Sequence, residues 1–207
     1  KHMINLIIIV ITVVVSVFAL MRKDLFYRLS FNAYAVAYQR QWYRLLSYGF
    51  IHANWTHLLI NMFVLWMFGE IVEDSYVYLF DKKGHVMYLL LYVSSILIST
   101  MYDLKLYKED YNYHAVGASG ATSAVIFASI LLFPLQKIYL FFIPIGIPAF
   151  IFGILFLIYS MYMSKRNVDN IGHNSHFFGA VYGFFFVVMF NYKLLIAFFV
   201  KIVQLFG

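Results

Sequence analysis

Six stretches of this 207-residue chain contain no Asp, Glu, Lys or Arg: 2–21, 45–69, 84–102, 111–136, 138–164 and 170–192. Each is about 19 residues or longer, the length an α-helix needs to cross the hydrocarbon core of a bilayer. With 64% of residues hydrophobic and only 12% charged, the chain cannot cover itself with a water-compatible surface. Lipid offers no hydrogen-bond partners to bare backbone, so the windows are predicted as helices despite their many Phe, Ile and Val residues. A barrel would need shorter, strictly alternating segments. The expected fold is therefore all-α, a polytopic membrane bundle with six transmembrane helices near 3–20, 55–76, 84–102, 117–133, 147–163 and 175–192, forming one domain over 3–207.

Local signals mark several boundaries. Asn54 is placed to cap the second helix, Pro134 ends the fourth, and Pro144 and Pro148 flank the start of the fifth. The first connection, 21–54, is long and rich in Tyr, Phe and Trp, which predicts an ordered loop lying partly in the membrane interface. The tail at 194–207 is too short to span and carries Lys201 at its middle, so it reads as an interfacial or docked segment. Lys1 and His2, before Met3, read as an added remnant, and the first apolar window reads as a retained helix rather than a cleaved signal. No internal repeat is evident.

The 15 Lys and Arg residues give a formal charge of +6, but they are scattered over the loops. That pattern suits anionic lipid rather than nucleic acid. With a cytoplasmic N-terminus, six basic residues (Lys1, Lys82, Lys83, Lys137, Lys193, Lys201) fall inside and nine outside, so the charge bias opposes that orientation. Five of the nine sit in the long first loop, where the bias carries less weight. The absence of cysteine removes disulfides, thiol nucleophiles and thiolate metal sites.

Polar groups at membrane depth are costly and therefore point to function. His57 and Asn61 are spaced i, i+4 at the start of the second helix, Ser119 stands in "GASG" at the start of the fourth, and His176, Gly179 and Gly183 form one stripe at the start of the sixth. Helices alternate in direction, so these three starts lie on one side of the membrane and share one depth. Gly179 and Gly183 present a bare face to Gly117, Gly120 and Ala121, which would bring Ser119 within reach of His176. A serine hydroxyl becomes nucleophilic when an imidazole accepts its proton. The resulting oxyanion needs fixed donors, for which the Asn61 amide, the His57 imidazole and the Ser119 N–H are suited. Asp110 and Asp169 lie in loops, so a Ser–His dyad is expected rather than a triad.

These residues resemble the rhomboid family of intramembrane serine proteases over nearly the whole chain: "WYR" before the second helix, "HLLIN" opening it, "GEIVE" closing it, "GASG" on the fourth and "HFFGAVYG" on the sixth. The resemblance implies Ser119 as nucleophile, His176 as general base, His57 and Asn61 as oxyanion stabilisers, and Arg44 as a loop-organising residue. It implies a single rhomboid-like protease domain acting on transmembrane proteins, with membrane lipid as surroundings and no cofactor, metal or nucleic acid. It also implies a bacterial inner membrane, with the site opening to the extracytoplasmic side. Two positions depart from the family pattern. Its Trp-Arg pair appears as Tyr43-Arg44, and the position four after the nucleophile, often an aromatic that packs on the imidazole, is Ser123. Tyr182 or a nearby Phe is expected to hold His176 instead.

Plainer readings compete. Ser119 alone reads more readily as helix packing, and only its combination with His176 and the His57/Asn61 pair favours catalysis. His173 is a rival base, set behind His176 because it lacks the glycine stripe, and is expected to face water in a loop. His52, His85 and His114 read as interfacial polar residues, Glu73 as a structural hydrogen-bonding group near the opposite face, and Glu70 and Asp74 as solvated helix-end charges. A zinc protease lacks its His-Glu-x-x-His, and a transporter lacks its visible repeats and broken helices. A non-catalytic rhomboid-like binding module and a small transporter stay as alternatives. The proline-rich approach to the fifth helix is expected to cap a lateral substrate gap there.

Overall fold

The computed structural model describes residues 3–140, 143–166 and 172–205. Lys1, His2 and Asp169, singled out above, lie outside the described residues. The chain runs α1 (Met3–Met21), α2 (Lys23–Leu29), α3 (Ala33–Gln39), α4 (Arg44–Ser47), α5 (Trp55–Phe80), α6 (Gly84–Ser99), α7 (Met101–Tyr107), α8 (Ser119–Leu132), β1 (Lys137–Leu140), β2 (Ile143–Pro148), α9 (Ala149–Arg166), α10 (His173–Phe186) and α11 (Lys193–Val203). Each of the six charge-free windows overlaps one of the longer helices, α1, α5, α6, α8, α9 and α10, with α5 and α9 running past their windows to Phe80 and Arg166.

Among the described residues, three helical runs, Met3–Met21, Trp55–Tyr107 and Ala149–Arg166, are long and apolar enough to cross a membrane. The second run doubles back at a 3-10 turn, Asp81–Lys83, which lets α5 and α6 pack on each other. Helices α8 and α10 have only 14 residues each. At 1.5 Å per residue that is roughly 21 Å, short of a hydrocarbon core of about 30 Å. The expected spans at 117–133 and 175–192 are thus shorter than a full crossing, because Gly117 and Ala118 remain in the preceding turn and a break after Phe186 precedes α11.

Helix α8 occupies the centre. Every residue from Gly120 to Leu132 except Ile126 is buried, and α10, α5, α6 and α9 pack around it. Its lack of charge and its many small residues, Gly120, Ala121, Ser123, Ala124, Ala128 and Ser129 among them, let other helices surround it on every side. At its far end Lys201 of α11 donates from Nζ to the Leu132 carbonyl at 3.0 Å, placing a cation at the negative end of the helix dipole. Phe198 is buried, so the tail is a docked helix. The other long element on that side of the molecule is capped by Glu73, which is fully buried and accepts from the N–H groups of Ile4 (3.1 Å) and Asn5 (2.9 Å) in the first turn of α1. His85 Nδ1 lies 2.6 Å from the same carboxylate.

The fold is not purely α-helical. Strands β1 and β2 form an antiparallel ribbon, with Lys137 opposite Pro148 and Ile138 opposite Ile147. Alternating β-branched residues and prolines disfavour a helix here, and in a two-stranded ribbon each proline can sit on an edge without a lost ladder bond. This ribbon follows the C-terminal end of α8, and Ala149 and Phe150 of α9 donate back to the carbonyls of Gln136 and Pro134. It therefore lies a helix length away from Ser119. The expectation that this segment caps a gap beside the serine is corrected: the chain direction puts it at the opposite end of the bundle.

The first loop is ordered by α2, α3, α4 and a 3-10 turn at Tyr48–Phe50. Arg44 gathers its strands, donating from Nη1 to the carbonyls of Tyr27 and Ser30 (both 2.7 Å) and from Nε to Gln41 Oε1 (2.6 Å).

Candidate active site

Helix α5 begins at an extended Asn54 whose side chain accepts from the His57 N–H at 2.8 Å. This cap sets the first turn, so His57 is half-buried at the bundle end and Asn61, one turn deeper, is buried. One Asn61 amide hydrogen goes to the His57 carbonyl at 2.9 Å, which leaves the other N–H available.

Ser119 is the first residue of α8, half-buried at its N-terminus. Its N–H is one of the four that a helix leaves without an intrahelical acceptor. The turn before it depends on Gly117, whose φ of +120° an L side chain rarely adopts. A Cβ there would also lie 2.6 Å from His57 Cε1, so the bare glycine lets the imidazole pack against the turn that delivers the serine.

His52 holds the same turn from beneath. Ser16 Oγ donates its single hydrogen to the Phe50 carbonyl (2.9 Å), so it accepts from His52 Nδ1–H (2.9 Å). Nε2 is then the acceptor for the Ala118 N–H at 3.3 Å. His52 is fully buried, which corrects its reading as an interfacial residue. Burial, with the neighbouring His57 adding to it, pushes the His52 imidazole down from 6.5 to about 3. The sign follows directly: between those values the unfolded chain takes up a proton that the folded chain refuses. Stability linked to His52 is therefore complete above pH 6.5 and falls by about 1.4 kcal/mol per pH unit as the pH drops toward 3. Thermal midpoints of the purified protein at pH 7.5, 6.5, 5.5 and 4.5 are expected to fall less steeply in His52→Gln than in wild type. Equal slopes would show that His52 titrates freely.

Helix α10 meets α8 through glycine. A Cβ on Gly179 would lie 2.1 Å from the Gly120 carbonyl oxygen, and one on Gly183 would lie 2.1 Å from the Ala124 carbonyl oxygen. Gly120, in turn, is wedged between α6 and α10: an added Cβ would lie 2.5 Å from Ser99 Oγ and 3.2 Å from the Ser175 carbonyl oxygen. Residues 175 and 179 of α10 thus flank Gly120, with His176 in the turn between them and Ser119 next to Gly120. The backbone contact packs the first turn of α10, which carries His176, against Gly120, the residue after Ser119.

The His176 ring stacks on Phe156 of α9, with centroids 6.2 Å apart and planes at 28°. This is the aromatic support that Ser123, buried within α8, does not provide. Tyr182 does not supply it: its hydroxyl donates to Ser94 Oγ at 2.9 Å, toward α6. His173 is buried in the first turn of α10, with its ring 5.9 Å from that of His176 and edge-on to Tyr159. Its expected place in a water-facing loop is corrected, because α10 begins two residues earlier than the pattern suggested.

Asp103, which no motif marks, is 1% exposed and bound to the same turn. Its Oδ1 accepts from Asn174 Nδ2 at 2.8 Å, and its Oδ2 from Tyr113 OH at 3.1 Å and Ser175 Oγ at 3.4 Å. The signal available in the sequence was a lone acid directly at the end of a charge-free window.

A sequence model of the Rhomboid domain matches residues 39–193, about three quarters of the chain. The chain belongs to the rhomboid family. The matched segment includes Arg44, His57, Asn61, Glu73, Ser119, His176 and the glycines of the α8–α10 contact. The chain is 33% identical over 94 residues to rhomboid-like protein 11, chloroplastic, of Arabidopsis thaliana, covering 44% of the chain and 29% of that protein. It is 28% identical over 145 residues to rhomboid-like protein 12, mitochondrial, of the same plant, covering 66% of the chain and 43% of that protein. The matches span less than half the length of either relative. Both names point to organelles, so these relatives lend no support to the expected bacterial membrane. Family membership and the apolar helices make this rhomboid an integral membrane protein.

Proposed function

We propose that this rhomboid is an intramembrane serine endopeptidase that cleaves peptide bonds in or near transmembrane segments of other proteins. The observation that carries the reading is the glycine contact between α8 and α10, which packs Gly179 and Ser175 of α10, on either side of His176, against Gly120, the residue after Ser119. Ser119 Oγ attacks the scissile carbonyl as His176 takes its proton. The tetrahedral oxyanion is met by the Ser119 N–H, the free Asn61 N–H and the His57 ring. His176 then protonates the leaving amine, and water hydrolyses the acyl-enzyme ester with His176 again as base. Arg44, Gly117, Gly120, Gly179 and Gly183 shape the site without touching the reacting atoms, while Glu73 braces the start of α1 at the other end of the bundle.

Substrates reach the site sideways past α9, a loosely packed helix whose buried residues are Ala149, Gly153 and Ser160. Because Phe156 of α9 stacks on His176, displacement of this helix and placement of the base are coupled. By family resemblance, a small residue before the cleaved bond and helix-destabilising residues nearby suit the substrate, and the site faces the extracytoplasmic side.

The test is reconstitution. Purified protein in lipid vesicles is expected to cleave a transmembrane peptide with an Ala before the scissile bond and a Gly-Pro-rich segment beside it, with no ion gradient applied. Cleavage that requires a gradient, or none over a panel of such peptides, argues against the reading. Asn61→Ala is expected to lower kcat by roughly 10²-fold with little change in KM, as loss of one oxyanion donor does. An unchanged kcat removes Asn61 from the site.

A further inference from the structure

We propose that Asp103 is a positioning residue for this chemistry: it locks the first turn of α10, and with it His176, against Ser119 through Asn174 and Ser175. The inference rests on the protease reading above. A carboxylate buried to 1% exposure is expensive unless its lone pairs are occupied. Asp103 fills them with Asn174, Tyr113 and Ser175, drawn from the third loop and from the two residues immediately before His176. Asn174 also accepts from Ser164 Oγ in the last turn of α9, so one carboxylate ties α7, the third loop, α9 and α10 together.

The link to the nucleophile runs through Ser175. Its hydroxyl is on Asp103, while its carbonyl oxygen lies against Gly120, the residue after Ser119. Rotating α10 or sliding it along α8 would move His176, and it would break these bonds at the same time. The glycine contact brings the two helices together, and the Asp103 bonds add side-chain groups that resist rotation of the turn. The negative charge also lies at the N-terminal end of α10, where the helix dipole favours it. In a triad the carboxylate holds the imidazole itself. Here it holds the turn that carries the imidazole.

The experiment compares steady-state cleavage of the transmembrane peptide and fluorophosphonate labelling by full-length variants in vesicles. Asp103→Asn replaces one acceptor oxygen with an N–H group that faces other donors. It is expected to lower kcat by about 10-fold to 100-fold, the scale of a misplaced catalytic group, with KM nearly unchanged and labelling slowed in parallel. The exchange Asp103→Asn with Asn174→Asp restores a donor–acceptor pair in the reverse sense and is expected to recover about tenfold of that loss. Ser175→Ala, which removes only the longer contact, should lower kcat several-fold in a protein with the wild-type thermal midpoint. Wild-type kcat in Asp103→Asn overturns the proposal, as does a lowered thermal midpoint with full kcat in the folded fraction, or an exchange variant no faster than Asp103→Asn. Failure of the protease reading itself looks different: wild-type protein would neither label nor cleave.

Discussion

Ser119→Ala is expected to abolish fluorophosphonate labelling and to reduce cleavage by on the order of 10⁴-fold or more, since loss of a serine nucleophile removes the covalent pathway entirely. The protein should remain folded. Ser119 is half-buried at the first position of α8, and alanine is the better helix former. Its thermal midpoint should equal or slightly exceed that of wild type. This combination separates the two meanings of a serine among small residues: a packing role predicts lost stability with retained labelling. His176→Ala should also prevent labelling, with a small loss of stability from the stacking on Phe156. Equal labelling of wild type, Ser119→Ala and His176→Ala would end the mechanism.

Gly179→Ala should nearly match Ser119→Ala in its loss of turnover, for a different reason. Inside a helix, Gly→Ala ordinarily gains up to about 1 kcal/mol through backbone entropy. At Gly179 the added methyl would sit 2.1 Å from the Gly120 carbonyl oxygen, which is backbone and cannot turn aside. The helices must part, and overpacking of this kind costs about 1–3 kcal/mol. Separation by even ~1 Å takes His176 away from Ser119 and costs on the order of 10²-fold in rate. Gly153→Ala in α9 is the contrasting case. Its methyl would meet Ile130 Cδ1 at 3.2 Å and the Phe127 ring at 3.5 Å, the movable ends of side chains. It should fold with near-normal stability. Thermal unfolding and peptide cleavage of the two variants side by side test this, and similar behaviour of both would show that the α8–α10 contact is not special.

Much of the architecture was legible because lipid makes composition decisive: a charge-free run of sufficient length has few options except a helix. The site residues at helix starts were legible for a related reason, since polar groups are costly at that depth. What the pattern could not specify was the end of each helix. Hydropathy continues smoothly through Gly117 and Phe186, while α8 begins only after the positive φ of Gly117 and α10 gives way to a turn after Phe186. Nor could it reveal the β-ribbon at 137–148, where apolar composition fits helix and strand equally well, and only edge geometry accommodates both prolines.

His52 and Asp103 show the deeper division. As sequence, they are a histidine in a loop and an acid at the end of a window, and nothing in their spacing names Ser16, Ala118 or Asn174 as partners. Their bonds join residues 36 to 72 positions apart. Such pairings arise only when α1 packs against the 3-10 turn at Tyr48–Phe50 and α10 packs against both α7 and α8. The sequence by itself determined a helical membrane protein with a serine, two histidines and an asparagine at one end of the bundle. Tertiary packing alone decided that glycine contacts press α10 onto Gly120 beside Ser119, that the Phe156 ring stacks on His176, and that Asp103 and His52 bond to the turns next to those two residues. Hydropathy and helical period act locally along the chain, whereas the hydrogen bonds that orient a site depend on which helices become neighbours.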